Sequence, residues 1–171
     1  HDETYTQTFE EISGRIAALE EIGGSRILMQ GGVNPDLPFE WYEQLLNHIR
    51  TSHPTIDIDC FSPIEIEGIA EVSELSTLEV LTRLKAAGMH GLPGGGAEML
   101  VDDVRKDVSP KKGLPANWLR VMEEAQSLHL TTSATNVIGF GETNEQRIEH
   151  MRRLRELQDR SLEAHGIAFT S

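Results

Sequence analysis

Residues able to do chemistry are gathered in a few short stretches of this chain. The first is Met29-Gln30-Gly31-Gly32-Val33-Asn34-Pro35-Asp36-Leu37-Pro38. Glycine has no Cβ, so the backbone can take φ > 0 and a ligand can approach it closely. A Gly-Gly pair serves equally well as a permissive turn, and both readings stand at this point. The second is Gly94-Gly95-Gly96-Ala97-Glu98, three glycines ahead of a carboxylate. Backbone N–H groups there suit an anion. Glu98 already brings a negative charge, so a ribose hydroxyl or an amino group suits the loop better. The plainer reading makes Glu98 a counter-charge at the start of a helix over 97–107. Asp57 and Asp59 share one face of a strand and read as a solvated face or as a carboxylate pair for acid/base work. Ser62, Ser133 and Thr135 lie near strand ends without an evident histidine base, which gives nucleophilic catalysis little support. The seven histidines include no pair at metal-ligand spacing on one helix. His48, His53, His129 and His150 read as surface or core positions, and His90 as a lone strand histidine. Cys60 is the single cysteine, which excludes an internal disulfide, and it reads as a small buried hydrophobe.

These stretches need elements to position them. Apolar period predicts a helix from Thr8, with Glu11 completing a capping box and Phe9, Ile12, Ile16 and Leu19 on one face. A strand over 26–30 runs into the Gly-Gly loop, and a helix over 39–51 follows it with Trp41, Leu45 and Ile49 inward. A strand over 56–61 leads to a helix over 64–72. Ser76 and Glu79 then cap another helix, with Leu78, Leu81 and Leu84 inward. A minimal strand over 89–92 precedes the triple glycine. A helix over 117–128 carries Trp118, Val121, Met122 and Ala125. A β-rich run over 131–138 precedes a charged helix over 144–163, with Ile148, Met151, Leu154 and Leu157 inward. A last strand begins at 167. This alternation predicts an α/β fold of parallel strands with about five βα units. Unusual loops follow strands, while ordinary turns at Gly23, Pro54 and Gly88 precede them. Such asymmetry is that of a barrel with one active face. Five strands are too few to close an eight-stranded barrel, so a portion of a longer domain is expected.

Length and charge bound the rest. A chain of 171 residues fits one domain. Its formal net charge of −13, from 28 acidic and 15 basic residues, argues against a nucleic-acid partner. No apolar run reaches membrane-spanning length, and a cytoplasmic location is the expectation.

Taken together the loops carry a resemblance. Gln30-Gly31-Gly32-Val33-Asn34-Pro35-Asp36-Leu37-Pro38, Phe61-Ser62-Pro63-Ile64-Glu65-Ile66, Pro93-Gly94-Gly95-Gly96-Ala97-Glu98, Ser109-Pro110-Lys111-Lys112 and Gly139-Phe140-Gly141-Glu142-Thr143 occur in that order. As a set they resemble the radical S-adenosylmethionine (radical SAM) enzymes of menaquinone and deazaflavin biosynthesis. Val33-Asn34, Gly94-Gly95-Gly96 and Ser109-Pro110-Lys111-Lys112 favour the branch that cyclises dehypoxanthine futalosine. The sister branches are the aminodeoxyfutalosine synthases and the deazaflavin (F420) synthase subunit. A reading from another class is a non-catalytic α/β module that holds a nucleoside.

The resemblance implies a partial TIM-like barrel, with residues 1–171 as its central part, truncated at both ends. It implies S-adenosylmethionine and a 4Fe-4S cluster in the parent enzyme. The family's CxxxCxxC loop is not in these residues and Cys60 does not match it, so the metal ligands are expected outside this chain and the chain alone is expected to be inactive. By the same resemblance Gly31 and Gly32 would meet the methionine part of the cofactor. Ser62 and Glu98 would lie near its ribose, and Val137, Ile138 and Gly139 near its adenine. Val33 stands where many radical enzymes have Glu. The implied reaction is a radical cyclisation of a nucleoside-like substrate, in which a 5′-deoxyadenosyl radical takes a hydrogen from the substrate ribose. An electron donor such as flavodoxin or ferredoxin would serve the cluster. Catalytic residues are not assignable; Arg105, Lys111 and Lys112 are candidates for a substrate carboxylate, or solvated positions.

Overall fold

The computed structural model describes residues 5–171. His1 lies outside them. Among the described residues four parallel strands form one sheet in the order β1 (Arg26–Met29), β2 (Asp57–Cys60), β3 (Gly91–Leu92), β4 (Thr131–Thr132). Arg26 pairs with Asp57 and Met29 with Cys60, and Gly91 pairs with both Asp59 and Thr131. Each connection carries helix, as parallel pairing requires. Strands in sequence order, each reached by a helical crossover, make the curved wall of a (β/α) barrel.

The helices start where side chains cap them. Thr8 accepts from the Glu11 N–H ahead of α1 (Phe9–Glu21), and Ser76 from the Glu79 N–H ahead of α4 (Thr77–Ala87). Both are complete capping boxes, as predicted. Between them lie α2 (Phe39–Ser52) and α3 (Pro63–Ser73). A short α5 (Asp102–Val108) and a 3-10 turn (Pro110–Lys112) precede α6 (Pro115–Ser127). Long α7 (Asn144–His165) opens on the capping box of Thr143 and Gln146.

The core lies between the sheet and its helices. Ile58 and Cys60 on β2, Leu46 and Ile49 on α2, Leu81 and Leu84 on α4, and Val121 and Met122 on α6 are fully buried. Alternation along β2 puts Asp57 and Asp59 on the opposite, partly solvated face. There Arg26 donates to Asp59 at 2.9 Å and to Asp57 at 3.2 Å. A guanidinium bridging the two carboxylates removes the acid/base reading of that pair.

Five expectations change. The segment 167–171 is not a fifth strand, although Thr170 N–H donates to the Thr132 carbonyl and Ala134 N–H to that of Ser171, both at 2.8 Å. The run 131–138 keeps only two residues of strand, because Ser133, Thr135 and Val137 bond to the 94–98 loop instead. The helix expected over 97–107 begins only at Asp102. Gly96 at φ 83° and Glu98 at φ 42° are left-handed, which a right-handed helix cannot contain. Leu78 is exposed, since α4 turns Val80, Leu81 and Leu84 inward. Ile148 and Met151 are exposed too, because α7 packs on α6 along His150, Leu154, Leu157 and Ser161, a stripe at i, i+4, i+7 and i+11.

Candidate functional site at the carboxyl ends of the strands

The loop after β1 is shaped by a residue of another element. Gly31 and Gly32 direct their N–H groups to one oxygen of Glu65 on α3, at 3.0 and 2.7 Å. The other Glu65 oxygen accepts from the Ser62 hydroxyl at 2.7 Å. Ser62 is also the N-cap of α3, accepting from the Glu65 N–H. Gly32 sits at φ 77°, a conformation L side chains rarely adopt. A Cβ on either glycine would meet nothing within 4 Å, so this side of the turn faces open space. Ser62, predicted near a ribose, is buried with its hydroxyl already bound to Glu65. It belongs to the support of the turn.

The loop after β3 is held from behind. Arg105 on α5, 2% exposed, donates to the carbonyls of Gly96, Ala97, Lys112 and Gly113 at 2.7–2.8 Å. Burial pulls its pKa down, and Glu98 4.0 Å away partly offsets this. Its donors are committed to backbone, so Arg105 is not a substrate ligand. Fully buried His150 accepts the Leu100 N–H at its Nδ1, 2.9 Å away. Desolvation lowers the His150 pKa, so the neutral ring that can accept is the stable form. Gly94 lies so close to the Ser133 carbonyl that a Cβ there would overlap it. Glu98 does not open a helix: one oxygen is paired with Lys112, and the other is buried without a hydrogen-bond partner. Lys112 is therefore a partner of Glu98, and Glu98 is not the counter-charge at a helix N-terminus.

After β4, Val137 donates its N–H to the Glu98 carbonyl at 2.9 Å, which sets the 137–139 strip beside Glu98. Val137 and Ile138 are 41% and 59% exposed, an apolar strip open to solvent. Behind it Glu142 folds back. Its carboxylate accepts from Gly139 and Phe140 N–H, the nearest at 2.7 Å, and pairs with Arg147 at 2.7 Å. Hydrogen bonds from its own N–H, then from Gly139, Arg147 and Phe140, outweigh desolvation and hold its pKa at about 2.

The predicted residues thus fall into two linked groups, Gly31, Gly32 and Ser62 around Glu65, and Glu98 with Val137, Ile138 and Gly139. Gln30 lies between them, donating to the Phe61 carbonyl at 3.2 Å and closely abutting Gly95. Phe61 at φ 65° and Glu98 at φ 42° are non-glycine residues in left-handed backbone within these loops, a strain that collects at functional sites. Two organising carboxylates, Glu65 and Glu142, were not singled out from sequence. The signal for Glu65 was its Ser62-x-x-Glu65 capping pattern.

The residues fit a nucleoside cofactor with an amino-acid arm, offering open glycine backbone, an unpartnered carboxylate oxygen and an apolar strip. They do not fit a cluster. The family's motif supplies three thiolates, whereas this chain has only Cys60, buried with its thiol pKa pushed well up by desolvation and the nearby Asp59 and Glu65. Among the described residues no group of His, Cys, Asp or Glu could hold a metal ion.

The sequence profile of the Radical SAM superfamily matches residues 1–154. The chain belongs to this superfamily. Among curated relatives, it is 43% identical over 159 residues to a cyclic dehypoxanthine futalosine synthase of Halalkalibacterium halodurans, covering 93% of this chain and 43% of the relative. It is 37% identical over 157 residues to the enzyme of the same name from Streptomyces coelicolor, covering 92% and 39%. It is also 37% identical over 164 residues to a 5-amino-6-(D-ribitylamino)uracil–L-tyrosine 4-hydroxyphenyl transferase of Cyanothece, covering 93% and 43%. The chain therefore spans about two fifths of the length of these relatives. In this radical SAM chain no helix among the described residues is long and apolar enough to cross a membrane.

Proposed function

We propose that the whole protein is a radical SAM cyclase that converts dehypoxanthine futalosine to its cyclic form, and that these residues supply the wall holding the cofactor. The observation that carries this reading is the run of loops after successive strands, from the Glu65-held Gly31-Gly32 turn to the strip at Val137, Ile138 and Gly139. Similarity to the two futalosine synthases supports the choice of substrate. Bound S-adenosylmethionine, with a cluster held elsewhere in the protein, supplies a hydrogen-abstracting radical. The residues here bind, orient and shield. The backbone at Gly31 and Gly32 receives the amino-acid arm. Glu98 accepts from ribose hydroxyls through the oxygen that Lys112 leaves unpaired. Val137 and Ile138 cover the base, and their apolar surface keeps water from the reaction. Lys111 is solvent-exposed, and a substrate carboxylate is a suitable partner for it, while the Lys112 ammonium stays with Glu98. The substrate is a small nucleoside-like molecule, and a flavodoxin or ferredoxin is a fitting electron donor.

A second reading is a transferase of the kind named by the Cyanothece relative, favoured by that protein's similar identity. The test is to load the full-length protein anaerobically with cluster, reduce it, and offer each substrate set with S-adenosylmethionine. A cyclised product from dehypoxanthine futalosine, with 5′-deoxyadenosine, is expected. Turnover only with the ribitylaminouracil and tyrosine would establish the transferase. Binding of S-adenosylmethionine without cleavage would establish a non-catalytic nucleoside module.

A further inference from the structure

Glu65 lies in the core beside the cofactor loop, and none of its hydrogen bonds goes to a cation. Its residue is 8% exposed. Among the described residues it has no ion pair, and its partners are the two glycine amides and the Ser62 hydroxyl. A buried polar side chain is costly unless hydrogen-bonded, so its acceptor oxygens fix these donors in place.

Peptide geometry carries that constraint to the open side of the turn. In a planar trans peptide the N–H and the C=O point in opposite directions. The Gly31 N–H shares its peptide with the Gln30 carbonyl, and the Gly32 N–H with the Gly31 carbonyl. With both N–H groups on Glu65, the Gln30 and Gly31 carbonyls must face away from it. Neither carbonyl accepts a hydrogen bond among the described residues. A second feature of α3 serves the same turn. Gly68 lies one helical turn beyond Glu65, on the same face, and its missing side chain lets Val33 pack against the helix, with a would-be Cβ only 2.8 Å from Val33 Cγ2. The face of α3 made by Glu65 and Gly68 is thus a seat for residues 31–33.

We propose that Glu65 is a positioning residue of the cofactor site, holding the Gly31 and Gly32 amides so that the Gln30 and Gly31 carbonyls present two acceptors to the ammonium group of the cofactor's amino-acid arm. This role rests on the cofactor reading above. A primary ammonium has three donors for these two carbonyls, so the seat discriminates against arms in which the amine is acylated or replaced by a hydroxyl.

The full-length, cluster-loaded protein tests this. S-adenosylmethionine is titrated while the spectrum of the reduced cluster is followed by electron paramagnetic resonance. Glu65→Ala should raise the half-saturating concentration by about tenfold to a hundredfold, the range typical of lost supporting hydrogen bonds, and should affect KM more than kcat. Glu65→Gln keeps an acceptor oxygen for the two amides and should stay within about threefold of wild type, because the role is to aim the carbonyls. Amide exchange at Gly31 and Gly32 should quicken in Glu65→Ala without cofactor and remain slow in Glu65→Gln. Should Glu65→Ala fail to fold, Gly68→Ala displaces Val33 without touching the carboxylate and should weaken binding in the same sense. Wild-type affinity in Glu65→Ala, or in Gly68→Ala where only that folds, overturns the role alone. A wild-type protein whose cluster spectrum ignores S-adenosylmethionine overturns the cofactor reading, and this role with it.

Discussion

Glu98 shows how a single side chain changes meaning once its neighbours are known. It is a carboxylate in left-handed backbone, clamped at one oxygen by Lys112, while its second oxygen is buried without a hydrogen bond, 4.0 Å from the Arg105 guanidinium. A buried acceptor without a donor is costly, and two ribose hydroxyls would relieve it. Glu98→Gln should therefore weaken S-adenosylmethionine binding by about tenfold to a hundredfold, as expected for loss of a charge-assisted bond. The same change leaves Lys112 unpaired, so Lys112→Met beside it separates the two contributions. A cofactor titration in which Lys112→Met binds normally and Glu98→Gln does not would assign the loss to the carboxylate. Unchanged affinity in Glu98→Gln would remove Glu98 from the site. Arg105 works by structure alone. Arg105→Ala strips donors from four carbonyls and should cost about 3 kcal/mol or more in denaturant unfolding.

At the scale of elements, helix starts and loops are joined by capping groups whose charge sets a pH window. Glu142 anchors the turn before α7 with its pKa held at about 2, against 4.5 for the free group. Its folded value is the lower one. The anchoring is therefore fully present above the unfolded value and is lost as pH falls through the folded one. Protection of the Gly139 and Phe140 amides, taken relative to an unstructured chain at the same pH, should be high at neutral pH and fall progressively as pH drops below about 4. Glu142→Gln should be weakly protected throughout, with the pH step in that window gone. At the same helix start Thr143 accepts from Gln146 N–H in a capping box. Thr143→Ala should lower stability by about 1 kcal/mol without changing that window.

For the whole molecule, the core between sheet and helices holds the loops in one frame. Trp118 on α6 is 1% exposed and donates from its indole to the Gly95 carbonyl at 3.3 Å, so it packs the core and touches the glycine loop together. Leu84 on α4 is equally buried but remote from the strand ends. Leu84→Ala should cost about 2–5 kcal/mol by leaving a cavity and leave cofactor affinity unchanged. Trp118→Phe should cost less stability, since volume is largely kept, yet loosen the 94–96 loop. A melting curve beside a cofactor titration for each variant distinguishes general destabilisation from loss of loop order.

From sequence alone the α/β class, the order of the first four strands with helices between them, and the capping boxes at Thr8 and Ser76 were legible, as was the placing of the glycine loops after strands. These follow from local rules: apolar period, cap chemistry, and glycine where the backbone must bend. Tertiary structure alone decided which groups those loops use for support. Glu65 and Gly31 are 34 residues apart, and His150 and Leu100 are 50 apart. Arg105, a plausible surface cation in sequence, is buried because four carbonyls converge on it. Ile148 and Met151 kept helical period but lost the core to His150 and Ser161, because the rotation of a helix about its axis is set by the partner it packs on. Hydrogen-bond partners and helix rotation depend on long-range geometry, and a pattern of residue types along one chain does not encode where a distant donor will stand.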